Sequence, residues 1–129
     1  MIAVSQLVLI VSASFILTSA TAFAQAQSLY DGVWKAEYIA KSGTAREGKV
    51  VISGSGGNWD MAVQQRGNPC TGRAYPLSIV TASDTELSFK IERSTTLAGC
   101  QDGVALLKRV DAKTLEGEFD GLKLRMVRQ

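Results

Sequence analysis

The alternation of apolar and polar residues along the chain predicts a protein made of β-strands. From residue 33 onward apolar positions recur at every second residue, and glycine, asparagine and aspartate separate the alternating runs. No apolar run in this part has a helical period long enough to predict a helix. The pattern predicts eight strands, at Val33–Ile39, Val50–Ser53, Asn58–Gln64, around Tyr75, Leu77 and Ile79, around Leu87, Phe89 and Ile91, and at Val104–Val110, Thr114–Phe119 and Leu122–Val127.

The last two strands are predicted together with their register. The dipeptide Asp120-Gly121 between them is typical of a two-residue type I′ hairpin turn. Such a turn sets Glu118 opposite Lys123 and Glu116 opposite Arg125 on the solvent-facing side of the hairpin. The apolar residues of both strands then share the other side.

Eight consecutive strands with short connections predict an all-β fold. We expect an antiparallel up-and-down meander that closes into a small barrel, with a sandwich as the alternative, in a single β domain at residues 25–129. The sixth strand alternates less cleanly, so we expect both of its faces to be covered. Six aromatic residues fall on inward-facing positions, which favours an interior filled by side chains over a ligand cavity. They are Trp34, Tyr38, Trp59, Tyr75, Phe89 and Phe119.

The two cysteines are predicted to form one disulfide at one end of the fold. In a meander the odd-numbered connections share an end, and Cys70 lies in the third connection and Cys100 in the fifth. Both are surrounded by polar, turn-forming residues. A redox-active pair would have a spacing such as C-x-x-C, which this chain lacks. We therefore expect a structural Cys70–Cys100 disulfide, which requires an oxidising compartment.

The connections at the cysteine end are predicted to be the longer ones, and long loops on a rigid sheet often carry binding residues. Those at the cysteine end are Lys41–Glu47, Gln65–Arg73, Arg93–Asp102 and Asp120-Gly121, and those at the other end are Ser53–Gly57, Thr81–Thr85 and Val110–Lys113. Basic side chains outnumber acidic ones at the cysteine end, so we expect a basic rim. The candidate contact residues are Arg66, Asn68, Arg73, Arg93 and Asp102.

The first 24 residues are predicted to be a signal peptide. Leu7–Leu17 is almost wholly apolar and is followed by Ala22-Phe23-Ala24, an A-x-A cleavage pattern. Cleavage after Ala26 is a second option. No Lys or Arg precedes the apolar run, so an uncleaved anchor is the alternative to cleavage. We expect a periplasmic or secreted protein that does not span the membrane once the leader is removed.

Charge and composition exclude several kinds of function. The formal net charge is +2, from 14 basic and 12 acidic residues, which is too small for an electrostatic nucleic-acid binder. The chain has no histidine, so a serine triad and the commonest metal ligand are both missing. Acids within the predicted strands lie mostly on the solvent-facing side beside Lys or Arg. We therefore expect no enzymatic activity, no metal site and no cofactor.

Two short motifs resemble known families. Asp31-Gly32-Val33-Trp34 resembles the G-x-W opening of lipocalin-like calycin barrels, in which the tryptophan packs against an arginine from a late strand. That resemblance implies a role for Arg125 or Arg128. The segment 53–59, which begins with Ser53 and Ser55, is similar to the S-x-S-G loop of periplasmic inhibitors of c-type lysozyme, which are exported eight-stranded barrels. That resemblance implies a loop that enters the lysozyme cleft.

Together these features predict an exported, non-catalytic binding module that uses the disulfide-tied basic loops. Its partner is expected to be an anionic small molecule, a glycan or a protein of the cell envelope. The first alternative is an inhibitor of a cell-wall hydrolase that acts through Ser53 and Ser55. The second alternative is a structural or antigenic protein associated with the envelope.

Overall fold

A computed structural model describes residues 25–61 and 66–129 of the protein. Within these residues the chain forms eight strands, β1 (Gly32–Ile39), β2 (Ala45–Ser53), β3 (Gly56–Asp60), β4 (Ala74–Ala82), β5 (Glu86–Ile91), β6 (Gly103–Asp111), β7 (Thr114–Phe119) and β8 (Leu122–Arg128). Each strand pairs with the next, and β8 pairs with β1, all antiparallel. The sheet is thus a closed up-and-down barrel. This confirms the predicted fold and excludes the sandwich.

Two predictions lie outside the described residues. The predicted signal peptide covers residues 1–24, and the end of the predicted third strand falls at residues 62–64. The described part of that strand ends at Asp60, and Met61 is no longer in the sheet although its side chain is buried. The predicted continuation of the strand to Gln64 therefore stays a prediction.

The β7–β8 hairpin has the predicted turn and register. Both residues of the Asp120-Gly121 turn have a positive φ, 48° and 80°, as a type I′ turn requires. Glu116 pairs with Arg125, and Glu118 pairs with Lys123. The Arg125 Nε atom lies 3.7 Å from a Glu116 carboxylate oxygen on the outer surface.

The β2–β3 hairpin differs from its prediction. The turn contains only Gly54 and Ser55, while Gly56 and Gly57 belong to β3. The reason is a close approach between strands, because a Cβ atom on Gly57 would collide with the backbone carbonyl of Val51 on β2. Glycine is therefore required at position 57 inside a strand, and the glycine-rich composition does not mark a long loop.

Two further expectations from the pattern are wrong. The first connection was expected at Lys41–Glu47, but β2 already begins at Ala45, so the loop is shorter than predicted. The outer face of β6 was expected to be covered. Instead Val104, Leu106 and Val110 have exposed fractions of 47%, 55% and 58%. The barrel has one layer, so the outer side of β6 has no second sheet to pack against.

Side chains fill the interior of the barrel, as the aromatic content predicts. The six predicted inward-facing aromatic residues all belong to or pack against one hydrophobic cluster. The ring centroid of Trp59 lies 4.8 Å from that of Phe119 and 5.9 Å from that of Phe89. The aliphatic part of the cluster consists of Ala36, Val50, Ile52, Met61, Leu77, Leu87, Ile91, Ala105, Leu107, Leu115, Leu124 and Met126.

The segment that precedes β1 closes the end of the barrel opposite the cysteines. Its residue Tyr30 is buried, and the Tyr30 hydroxyl donates to the carbonyl oxygen of Ser83 at 2.6 Å. Burial raises the pKa of this hydroxyl. The indole N–H of Trp34 donates to the Tyr30 carbonyl oxygen at 2.9 Å. Residues 25–31 therefore cover the interior at this end.

Arg128 fixes this segment to the last strand. Its guanidinium carbon lies 4.3 Å from the Trp34 ring centroid, within the range of a cation–π interaction. The guanidinium also donates to the carbonyl oxygens of Leu29 and Asp31. Gly32 has a φ of 138°, and a Cβ there would lie 2.8 Å from the Arg128 guanidinium. The absence of a side chain at Gly32 thus permits the contact.

Replacement of Gly57 by alanine should destabilise the barrel, and the same change at Gly56 should not. The Gly57→Ala methyl group would overlap the Val51 carbonyl, whereas a Cβ on Gly56 would lie 3.5 Å from the Leu77 carbonyl oxygen, an ordinary contact. Gly57→Ala should lower the free energy of unfolding by about 2 to 3 kcal/mol, and Gly56→Ala should change it by less than about 0.5 kcal/mol. Urea denaturation measures both. Equal effects would contradict the close approach of β2 and β3.

Candidate functional site

The disulfide joins two loops at one end of the barrel. Cys70 and Cys100 form this disulfide. They are 30 positions apart in the sequence, and their Cα atoms are 5.7 Å apart. Both the predicted pairing and the predicted meeting at one end are confirmed. We call the surface formed by residues 66–73, 92–102 and 120–121 the mouth. The β1–β2 connection lies at the same end.

Side chains and backbone groups hold the first mouth loop in place. The buried Tyr75 side chain extends from β4, and its hydroxyl donates to the carbonyl oxygen of Cys70 at 2.6 Å. The Asn68 side-chain oxygen accepts a hydrogen bond from the Cys70 N–H at 3.0 Å, which forms an Asx turn. Arg73 Nε donates to the carbonyl oxygen of Pro69 at 3.1 Å. The loop therefore has local bonds in addition to the disulfide.

Asp102 stabilises the second mouth loop from outside the cavity. One carboxylate oxygen accepts a hydrogen bond from the Ser94 N–H at 2.9 Å, and the other lies 3.3 Å from Lys90 Nζ. The Ser94 backbone N–H, then the Ser94 side chain and Lys90, hold the pKa of Asp102 below its usual value. Asp102, at the end of the loop 92–102, is thus hydrogen-bonded to Ser94 near its start.

A cavity of about 400 Å³ opens between the two loops. Its floor consists of side chains that end the hydrophobic core, namely Met61 and four aromatic residues, Tyr38, Trp59, Tyr75 and Phe119. Its polar lining comes from the two loops and the β7–β8 turn. The residues of this polar lining include Asn68, Thr71, Arg73, Arg93, Gln101 and Asp120.

Arg93 is the central charged group of the cavity. Its side chain is only 18% exposed, and its guanidinium carbon lies 5.4 Å from the Phe119 ring centroid and 5.8 Å from that of Tyr75. One terminal nitrogen, NH1, donates to the carbonyl oxygen of Gln101 at 3.2 Å. The same nitrogen lies 3.6 Å from a carboxylate oxygen of Asp120. The aromatic rings therefore hold a cation at the base of the mouth.

Gly103, the first residue of β6, provides the space for this ion pair. A Cβ at Gly103 would lie 3.0 Å from Arg93 NH1 and 3.1 Å from both Asp120 Oδ2 and a Phe119 ring carbon. The other Asp120 oxygen accepts a hydrogen bond from the Val104 N–H at 3.0 Å, which fixes the carboxylate. A side chain at position 103 would therefore require Arg93, Asp120 and Phe119 to shift by a few tenths of an ångström.

The structure brings together three of the five candidate contact residues. Asn68, Arg73 and Arg93 line the cavity, whereas Asp102 bonds to its own loop and Arg66 is exposed outside the cavity lining. The pattern did not identify the aromatic floor as part of a site. The sequence did contain a signal for it. Each of the four aromatic residues of the floor lies within two residues of the strand end on the cysteine side, in β1, β3, β4 and β7.

Arg46 lies directly opposite Tyr38 in the β1–β2 ladder, at the cysteine end of the barrel. It belongs to β2 and lines a separate hollow of about 930 Å³ on the outer wall across β7, β8, β1 and β2. Its Nε atom is buried and has no hydrogen-bond partner among the described residues. Most acids of this hollow are ion-paired; Glu37 and Glu47 contact Lys35, and Glu116 contacts Arg125.

The predicted inhibitor loop lies at the end of the barrel opposite the mouth. Ser53 ends β2, and Ser55 is the second residue of the two-residue turn; both are exposed. The Gly54 N–H donates to the Asp31 carboxylate at 2.8 Å, and the Ile79 N–H donates to the Ser55 carbonyl oxygen at 2.9 Å. The turn is therefore short and held on both sides.

Comparisons with protein-family models, with curated proteins and with solved structures found no match for this chain. Among residues 25–61 and 66–129 there is no helix with the length and apolar character needed to cross a membrane. The same residues contain no group of three His, Cys, Asp or Glu side chains placed to hold a metal ion. The function has to be inferred from the geometry of the site.

Loss of the disulfide should strongly destabilise the barrel. In the chain-entropy description a bridge that closes a loop of about 30 residues contributes about 3 to 4 kcal/mol. The double variant Cys70→Ser/Cys100→Ser should therefore unfold at a correspondingly lower urea concentration than the oxidised protein. The reduced wild-type protein should match the variant. A difference below about 1 kcal/mol would mean that the mouth loops are already restrained without the bridge.

The lowered pKa of Asp102 predicts a contribution to stability that depends on pH. This contribution is present above the unfolded-state value of about 3.9 and is lost as the pH falls through the lower folded-state value. Asp102→Asn keeps an oxygen that accepts from the Ser94 N–H but removes the charge. The stability advantage of wild type over Asp102→Asn should shrink between about pH 5 and pH 2. Urea denaturation across this range tests it, and a constant difference would contradict the assignment.

Proposed function

We propose that this chain is an exported, non-catalytic binding module that takes a small anionic molecule in the mouth. The observation that carries the proposal is the cavity of about 400 Å³ between the two disulfide-linked loops, with the half-buried Arg93 at its base. Its volume lies in the range of small-molecule sites, which is about 300 to 1,000 Å³. An apolar floor with a few polar groups around it is typical of such sites.

The charge of the lining supports an anionic ligand. Arg73 and Arg93 line the cavity against one acid, Asp120. The disulfide and the Tyr75–Cys70 hydrogen bond support a cavity that exists before the ligand arrives. A preformed site binds at a smaller cost in conformational entropy than loops that become ordered on binding. A periplasmic or extracellular location accords with the disulfide and with the predicted leader.

The cavity favours a small molecule over the larger partners considered. A protein partner or a long glycan needs an extended surface, whereas the candidate residues that come together surround a concave site. Inhibition of a cell-wall hydrolase through Ser53 and Ser55 stays a prediction, as does a structural or antigenic role in the envelope. A lysozyme assay with the purified protein tests the first of these, because the inhibitor hypothesis requires inhibition at micromolar protein.

Nuclear magnetic resonance with a panel of small anions tests the proposal. Acetate, glutamate, glucuronate, benzoate and inorganic phosphate are added singly at millimolar concentration to the ¹⁵N-labelled protein. At least one should shift the backbone amides of the mouth, such as those of Arg93, Gln101 and Asp120. Shifts confined to the outer wall, or no shifts with any compound, would exclude the mouth as the binding site.

Charge reversal at two exposed arginines provides a matched pair of variants. Arg73 lines the cavity and Arg66 does not, although both lie on the same loop. Arg73→Glu should weaken binding of the active anion at least tenfold, because it places a negative charge at the cavity. Arg66→Glu should change it by less than about threefold, since screening weakens charges outside the site. A similar loss of affinity in both variants would indicate that the basic end attracts the anion through its overall charge and not through a defined site. Melting temperatures check that both variants fold.

A further inference from the structure

Two arginines of this barrel lie over aromatic rings, and they differ in what their N–H groups bond to. At the closed end, Arg128 lies over Trp34, and its Nε, NH1 and NH2 atoms donate to the carbonyl oxygens of Ala112, Asp31 and Leu29. All three of its nitrogens therefore have backbone partners. Arg128 has the bonding expected of a purely structural residue.

Arg93 in the mouth has few partners by comparison. Only its NH1 atom donates a hydrogen bond to a described residue, to the Gln101 carbonyl. Its distance of 3.6 Å from the Asp120 carboxylate is longer than a hydrogen bond. The Nε and NH2 atoms have no hydrogen-bond partner among residues 25–61 and 66–129, and neither is sealed from solvent. A guanidinium that lines a cavity thus retains a donor edge for a ligand.

The geometry of that edge selects a planar anion. The Nε and NH2 groups of an arginine form a fork that matches the two oxygens of a carboxylate. Asp120 does not fill this role, because its own carboxylate is fixed by the Val104 N–H. The lining contains two positive side chains, Arg73 and Arg93, and one negative side chain, Asp120. A ligand with a single carboxylate would balance the remaining positive charge.

The remainder of the lining selects an aromatic body. The floor next to Arg93 is aromatic apart from Met61, and the Tyr38 and Phe119 ring centroids lie 5.3 Å apart in an edge contact. Tyr38 is half-buried, and its hydroxyl has no hydrogen-bond partner among the described residues, so it can bond to a ring substituent. A sugar ring would need an open aromatic face to stack on, whereas the side chains of Trp59 and Tyr75 are buried. The volume of about 400 Å³ suits a molecule with a single ring.

We infer that the mouth takes a single-ring aromatic carboxylate, with the carboxylate on the Nε and NH2 groups of Arg93 and the ring against the aromatic floor. This inference rests on the proposed function and specifies its ligand. The chemical requirement is one planar carboxylate on an aromatic ring, and a hydroxyl group on the ring would meet Tyr38.

Calorimetric titration with three related probes tests the inference. The probes are 4-hydroxybenzoate, its neutral analogue 4-hydroxybenzamide, and glucuronate, which has the carboxylate without the aromatic ring. We expect 4-hydroxybenzoate to bind at least tenfold more tightly than either analogue. No binding of 4-hydroxybenzoate, or equal binding of the amide, overturns the inference. Equal binding of glucuronate overturns its aromatic part.

Variants of the two charged partners should change the affinity for 4-hydroxybenzoate in opposite directions. Arg93→Lys keeps the charge but loses the planar fork, so affinity should fall at least tenfold. Asp120→Asn keeps an acceptor for the Val104 N–H and a residue tolerant of positive φ, but removes the competing charge, so affinity should rise severalfold. Arg125→Lys on the outer wall is the control and should leave affinity unchanged.

The outcome separates the ligand class from the proposed function. If glucuronate or another anion shifts the mouth amides but 4-hydroxybenzoate does not bind, the binding module stands and the aromatic class is wrong. If no anion in either experiment perturbs the mouth, both fail. Unchanged affinity in Arg93→Lys, with a wild-type melting temperature, would show that Arg93 does not receive the carboxylate.

Discussion

The backbone pairing between β1 and β8 is the constraint on which the rest of this structure depends. This ladder runs from the Trp34–Arg128 pair to the Tyr38–Leu124 pair and joins the first strand to the last. Without it the sheet would have two free edges and an interior open on one side. With it, alternate connections are confined to opposite rims of a ring. Two loops with cysteines 30 residues apart are therefore neighbours.

The two ends of the closed barrel differ in what covers them. The chain segment before β1 lies across one end, where Tyr30 and Trp34 are bonded to each other and to the rim. Among the described residues no segment lies across the other end in this way, and the aromatic side chains at the strand ends form the bottom of a concavity. The disulfide and the Tyr75 hydroxyl hold its walls. The core and the candidate site thus share residues, and the site inherits the rigidity of the core.

Much of the architecture could be predicted from the sequence because it depends on local signals. Strict alternation identified the strands, and one dipeptide identified the last hairpin with its register. Strand counting then placed the cysteines at one end. The pattern places Gly56 and Gly57 in a turn, because glycine is common in turns. In the structure both lie in β3, and Gly57 is where β2 and β3 approach closely. The sequence pattern does not show the start of β2, because residues 45–49 are mostly polar or small and have no alternation of apolar and polar side chains.

The candidate site was only partly predictable. Polar residues near a cysteine were sound candidates, but the sequence does not show whether a loop side chain turns inward, as Arg93 does, or bonds to its own loop, as Asp102 does. That choice depends on tertiary contacts such as the space left by Gly103. Arg46 was assigned to a loop for a simpler reason, because the predicted connection Lys41–Glu47 overlaps β2, which begins at Ala45.

The hydrogen bonding of Arg128 to the carbonyl oxygens of Leu29 and Asp31 joins the two ends of the described chain. It places the last strand and the start of the described chain side by side at the covered end. Residues 25 and 129 therefore both lie on the side of the barrel away from the cavity. A surface or a fused domain attached at the carboxyl terminus would thus be joined at the end of the barrel opposite the mouth.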